Sequence, residues 1–340
     1  MAILWSSRST SASTLSIFIL CISLSSMRLS AESFETLPVP APGPASFAFD
    51  SLISLGVGES LLTGIADGRI VKYQRQLLFP FRFGFVDYGY TAPNRNKAFC
   101  DGTNNTNLAP ICGRPLGLAF YLLTRQLYVT DASFGLVVIG PNGGAATQLA
   151  TGIGGVPFRY PAAVDVDQLT EMVYFTDAST RFNLSQLNQL IRTNDTTGRL
   201  LKYDPKTKRV TVLLRGLAGP FGLAISRDRS YILISEFVRA RIQKYWLTGP
   251  KANTTEVLLN LTGNPGNIRI TIRGDFWVAI TVRSPTLELK GQRINGVGTI
   301  LETVSFSPEF NATLITEVNE RGGTLYLGSL DKKFVGVYRR

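Results

Sequence analysis

The stretches QLYVTDAS (126–133) and MVYFTDAS (172–179) decide how this chain folds. The theme returns as YILISEF (231–237), DFWVAI (275–280) and TLYLGSL (324–330), with a weaker copy, SLLTGIADG, at 60–68. Each copy is a short apolar, β-branched and aromatic run that ends in a small or acidic residue. Copies about 40–65 residues apart indicate a propeller or another repeat array. Six copies predict an all-β, six-bladed β-propeller with about four strands per blade. The phrase is expected to be the strand nearest the central channel or its neighbour, and function is expected at the channel mouth.

The intervening sequence supports this reading. Alternating segments such as GRIVKYQ (68–74), RVTVLL (209–214) and RIQKYWL (241–247) have strand periodicity. GPNGG (140–144), DPKTK (204–208), SRDRS (226–230) and ERGG (320–323) mark turns. One segment departs from the pattern. NLSQLNQLIRTND (183–195) carries Leu184, Leu187, Leu190 and Ile191 at helical spacing, which predicts a short inserted helix capping one face of the channel near its mouth.

The 340 residues are 44% hydrophobic and 17% charged, enough apolar material for a core. The propeller is expected over 44–340, after a Pro-rich extended lead-in at 32–43. Residues 1–31 read as a signal peptide cleaved around 25–31: Arg8 precedes the apolar run Leu15 to Leu24, and small residues follow it. The run is too short for a membrane span, so no membrane attachment is expected after cleavage. Six sequons, at Asn104, Asn183, Asn194, Asn253, Asn260 and Asn311, fit a glycoprotein of the secretory pathway. The vacuole is the expected destination and the cell exterior the alternative. Cys21 belongs to the signal peptide. Cys100 and Cys112 then form an even pair in an oxidising compartment and are read as a disulfide closing a polar loop.

Net charge is +11, but Lys and Arg are scattered rather than arranged as the basic stripe nucleic-acid binding needs, so no nucleic-acid partner is expected. The chain has no His. That excludes Ser-His-Asp and Cys-His nucleophile systems and His metal sites. Asp131, Asp177 and Glu236 end three copies of the repeat. They are candidates for acid–base work in the channel; the other reading makes them strand-end acids that bond turn amides.

Ordered runs along the chain carry a resemblance. They include DGRIVKY (67–73), NKAFC (96–100), CGRPLG (112–117), GVPFRY (155–160), VYFTDAS (173–179), TGRLLKYDPKTK (197–208) and NPGNIR (264–269). From about Pro44 to Tyr338 the chain resembles strictosidine synthase and the plant strictosidine-synthase-like proteins. The resemblance implies a six-bladed propeller, the Cys100–Cys112 disulfide, and a small-molecule pocket at the channel mouth with no cofactor. It implies condensation of an amine of the tryptamine type with an aldehyde of the secologanin type, in alkaloid biosynthesis. The family's catalytic glutamate falls on Thr316, with Glu317 one residue away. Neighbouring strand residues face opposite sides, so Glu317 is expected to turn away unless a bulge intervenes. The family's pocket positions fall on Leu116, Tyr160, Ala162, Leu187, Ile191, Gly219 and Phe237. Leu116 and Ala162 stand where aromatic residues clamp the indole. The wider superfamily includes calcium-dependent lactonases, whose ligand positions fall on Ala45, Ala162, Phe221 and the Gly266–Asn267 pair. Only Asn267 offers a side-chain oxygen, so no metal is expected. The alternatives to a condensing enzyme are a propeller that binds a small apolar ligand and, less favoured, a lactone or ester hydrolase.

Overall fold

The computed structural model describes residues 32–50, 60–75, 83–283, 285–307 and 309–340. The expected signal peptide lies outside them. Six sheets stand in a ring, in sequence order, each of four antiparallel strands, with the two-residue strand Gly144–Ala145 added in parallel to the first. Their innermost strands are Phe47–Asp50, Pro115–Tyr121, Pro161–Val166, Pro220–Ile225, Asn264–Ile270 and Ile315–Arg321, and each contributes to the wall of the central channel. The chain is a six-bladed β-propeller, as the repeats predict.

The recurring phrase is the second strand of each blade, one place out from the channel: Ser60–Gly64, Gln126–Asp131, Val173–Asp177, Tyr231–Glu236, Phe276–Val282 and Thr324–Ser329. Burial on both faces explains its composition. Such a strand has sheet neighbours at both edges and other blades above and below, so it reads as a continuous apolar run. In QLYVTD every residue after Gln126 is buried.

The hydroxyl inside the phrase has a specific task. Thr130 Oγ1 donates to the carbonyl of Ala162 at 2.9 Å, and Ser235 Oγ to that of Gly266 at 2.6 Å. Thr281 Oγ1 accepts from the Ile315 amide at 3.2 Å. Each of these bonds ties one blade to the innermost strand of the next.

The acids that end the phrase anchor the start of the innermost strand in their own blade. Buried Asp131 accepts from the backbone N–H of Arg114, Ser133 and Phe134 and from the hydroxyl of Thr91. Asp177 accepts from the Tyr160 amide at 2.9 Å and pairs with Arg199 at 2.6 Å, both side chains essentially buried. Glu236 accepts from the Ala218 amide at 2.8 Å and pairs with Arg241. Burial pushes the carboxyls of Asp131 and Asp177 above the usual range, against the pull of these donors. The three acids are therefore strand anchors and do not act in the channel.

The lead-in at 32–43 is extended but does not stand outside the propeller. Its strand Ser33–Pro38 is the outermost strand of the sixth sheet, beside the C-terminal strand Phe334–Arg339. The last sheet is thus built from both ends of the described chain, which closes the ring and covers the edge of the C-terminal strand.

Cys100 and Cys112 form the expected disulfide. They lie at the ends of two single-turn helices, Lys97–Cys100 and Ala109–Cys112, that have little packing of their own. Closing a loop of this length restricts the unfolded chain by about 3 kcal/mol. Cys100→Ser combined with Cys112→Ser should lower the denaturation free energy by about that amount, read from urea curves under oxidising conditions. An unchanged midpoint would contradict a structural role for the bond.

Candidate functional site

A register shift opens five of the six innermost strands. The pairing with the second strand slips between Pro115 and Gly117, Pro161 and Val164, Pro220 and Gly222, Pro265 and Ile268, and Ile315 and Glu317. Each slip is a β-bulge, in which one extra residue is unpaired and its side chain is re-aimed. The extra residues are Leu116, one of Ala162–Ala163, Phe221, one of Gly266–Asn267, and Thr316. Leu116, Ala162, Phe221, Gly266, Asn267 and Thr316 all line one pocket, and Ala45 completes the ring in the first blade. Proline sits at or beside four of the five bulges, where a missing N–H is tolerated.

Leu187, Tyr160, Phe237, Leu314, Ile315 and Leu330 complete the lining. The predicted helix is present as a 3-10 turn, Leu184–Gln186, followed by an α-helix, Leu187–Arg192. Leu187 faces the pocket, while Leu190 is fully buried behind it. Of the seven expected pocket residues, Leu116, Tyr160, Ala162, Leu187 and Phe237 are in the lining. Ile191 and Gly219 are one layer back. Ile191 packs in the apolar cluster behind the wall, and a side chain at Gly219 would meet Val238 and Leu190.

Phe221 carries more of this site than its position in the sequence suggests. Its ring packs 5.2 Å from Tyr160 and 5.1 Å from Phe237, giving a continuous aromatic wall. Resemblance reaches Phe221 only as a position matched to a calcium ligand; the bulge brings its ring to the mouth as part of an apolar wall. Burial raises the Tyr160 hydroxyl pKa well above its ordinary value. Beneath this rim Arg114 is buried, with its guanidinium donating to the Gly43 carbonyl at 3.2 Å, and burial lowers its pKa to about 10.

Thr316, not Glu317, lines the pocket. The Thr316 hydroxyl is buried beside Gly328 and has no hydrogen-bond partner in the protein. Gly266 makes this approach possible, because a Cβ there would stand 2.6 Å from the Thr316 carbonyl oxygen. Glu317 does not turn away, as strict alternation would have it: the bulge intervenes, and the side chain lies fully buried in the channel, one step deeper than the pocket. Its carboxylate accepts from the Phe47 amide at 3.1 Å, from Asn267 Nδ2 at 2.7 Å and from Asn319 Nδ2 at 3.0 Å. It also pairs with Arg269 at 2.9 Å. The Arg269 guanidinium reaches Ser46 Oγ at 2.7 Å and the Leu118 carbonyl at 3.1 Å. One ionic network thus links four innermost strands and separates the mouth pocket from the far end of the channel.

The positions matched to calcium ligands do come together at the mouth, but their chemistry does not fit calcium. Ala45, Ala162 and Phe221 present no side-chain oxygen. Asn267 already donates to Glu317 and accepts from the Ile268 amide. Calcium takes six to eight oxygens, so this ring does not make a calcium site. The lining residues include no carboxylate, and the space they enclose is about 50 Å³. Sites for drug-sized molecules usually offer roughly 300–1,000 Å³.

Comparison with known proteins agrees with this architecture. The strictosidine synthase family model matches residues 162–250. Protein strictosidine synthase-like 12 of Arabidopsis thaliana is 43% identical over 328 residues, covering 94% of each chain. Strictosidine synthase of Catharanthus roseus is 38% identical over 305 residues, covering 88% of this chain and 84% of its own. A gluconolactonase from Xanthomonas campestris superposes with a TM-score of 0.62 at 12% identity, over 93% of this chain and 92% of its own, a likeness of fold alone. The chain belongs to the strictosidine synthase-like family.

Proposed function

We propose that this propeller receives a small, mostly apolar molecule in its mouth pocket and does not run the amine–aldehyde condensation through a pocket carboxylate. The observation that carries this reading is Thr316 at the bulge of the sixth blade. The residue there has a hydroxyl that cannot act as a base at ordinary pH, and the one nearby glutamate is held by four donors. The aromatic wall of Tyr160, Phe221 and Phe237 suits a flat apolar ligand. The space of about 50 Å³ is small for the condensation's two substrates together.

A second reading keeps the condensation. The Catharanthus roseus relative is named for it, and Glu317 contacts Asn267, itself part of the pocket wall. In this reading Glu317 is the base that removes the indole ring proton after the amine has formed an imine with the aldehyde and the indole carbon has attacked it.

The experiment that separates them is incubation with tryptamine and secologanin followed by mass spectrometry. The unmodified protein should give no condensation product above a heat-inactivated control; product lost in Glu317→Gln would establish the second reading instead. Thr316→Glu, which puts a carboxylate at the pocket wall, should be the variant that gains product. If it gains none while remaining folded, the missing base is not what limits the chain.

We also propose that the protein enters the secretory pathway and resides in the vacuole, with the cell exterior as the alternative. The disulfide supports an oxidising compartment, and all six sequon asparagines are exposed. N-terminal sequencing of the mature protein and imaging of a C-terminal fluorescent fusion test this. A mature chain that begins at Met1 would overturn it.

A further inference from the structure

The channel has a second, larger cavity at the end opposite the mouth. It measures about 850 Å³, within the range of ordinary small-molecule sites, whereas the mouth pocket offers about 50 Å³. The Glu317–Arg269–Asn319 network stands between the two, with Arg269 and Asn319 on the floor of the larger one. Apolar side chains of the innermost strands, Phe49, Phe120, Val166 and Ile270 among them, form its walls.

Two features at this end point to a ligand. The first is an apolar rim. Leu122, Leu169 and Ile272 come from turns of three different blades, yet all three border the one opening at 50%, 70% and 84% exposure. Single exposed apolar residues are ordinary, but three converging on one cavity mark a binding surface. The second is charge. Four arginines, Arg227, Arg229, Arg269 and Arg321, line the cavity against two acids, Asp165 and Asp167. The acids are turned to backbone amides. Asp165 accepts from Ile225 and Val166, and Asp167 from Leu169. Neighbouring Asp228 bonds the hydroxyls of Ser226 and Ser230. Arg269 is balanced by Glu317, and Arg321 lies 5.2 Å over the Phe49 ring. At the opening Arg227 is exposed, donating to the Ile272 carbonyl at 2.8 Å, and Arg229 is half-buried, so two guanidinium groups stand beside the apolar rim.

We infer that this end of the channel is a separate small-molecule site for an amphiphilic anion: an apolar body seated on the blade walls, with one carboxylate or sulfonate held by the arginines. The inference is independent of what the mouth pocket does, and the variants chosen keep the two apart.

The test uses the full mature chain and 1-anilinonaphthalene-8-sulfonate as probe, followed by fluorescence. The expected result is saturable binding that Ile272→Asp and Arg227→Glu each weaken by about tenfold, or about 1.4 kcal/mol. Both residues are exposed, so the variants should keep the parent's thermal midpoint. Leu187→Glu, at the mouth, should leave the affinity unchanged. Octanoate should displace the probe, whereas octylamine, of equal length and opposite charge, should not. Loss of binding in Leu187→Glu but not in Ile272→Asp would move the probe to the mouth and overturn the proposal. Equal displacement by both competitors would overturn the anion preference, and absence of saturable binding would overturn the site.

Discussion

Replacing Glu317 with alanine is expected to lower the folding stability by about 3–5 kcal/mol, the usual cost of leaving the partner of a buried ion pair unneutralised. Three hydrogen bonds and the Arg269 pair converge on this carboxylate, which has no solvent exposure. Without it Arg269, whose side chain is 11% exposed, keeps its charge and loses its counter-ion. The Phe47 and Asn267 donors also lose their acceptor. Glu317→Gln should fall between the two, because the amide oxygen still accepts one bond while its NH2 faces other donors. Guanidinium unfolding, with the midpoint and slope fitted separately, reads the effect. A loss below about 1 kcal/mol, the scale of an exposed pair, would show that the carboxylate is not committed to structure. It would then be free for chemistry, and the condensation reading would gain.

A chain that starts at Pro40 is expected to lose a comparable amount, about 5 kcal/mol, although it keeps every residue of both cavities. The deletion removes Ser33–Pro38, the outer strand of the sixth sheet. It takes away roughly three ladder hydrogen bonds at about 1 kcal/mol each. It also removes the edge-to-face contact of Phe34 with Phe310 and the buried Val39, whose transfer from water is worth roughly 1.5 kcal/mol or more. The C-terminal strand Phe334–Arg339 becomes an open edge, so concentration-dependent association should accompany the lower midpoint. Light scattering beside the unfolding curve measures both. If the shortened chain matches the parent in midpoint and remains monomeric, the terminal strand does not close the ring.

The frame was legible because it repeats. A strand covered on both faces must be apolar throughout, and a strand that starts beside a channel needs its first amides bonded. Hence the phrase ends in an acid, as in Asp131, Asp177 and Glu236. The repeat spacing gave the blade count, and helical periodicity gave the Leu187 helix. The pairing of Cys100 with Cys112 was read from cysteine parity once Cys21 was set aside with the expected signal peptide. Strand position was less legible. Second strand and innermost strand both read as short apolar runs, and only pairing order distinguishes them.

The site was legible only in outline. Leu116, Tyr160, Ala162, Leu187 and Phe237 were reached through resemblance, not periodicity. Phe221 was reached only as a calcium-ligand position, and the lower cavity carries no motif, since its residues come from separate blades and look like core or turn residues in the chain. The lead-in at 32–43 reads as a linker because its partner strand lies at the other end of the sequence.

By itself the sequence determined a six-bladed ring, because each blade's strand pattern is local and recurs. It also determined that no histidine chemistry is available. The tertiary structure decided what the one glutamate near the expected catalytic position does. The bulge puts Thr316, with no carboxylate, on the pocket wall and sets Glu317 a step deeper. There, groups from residues as distant in sequence as Phe47, Asn267 and Arg269 close around its charge. A bulge is a matter of pairing and a charge network a matter of proximity across the ring, and neither is written in any local run of residues.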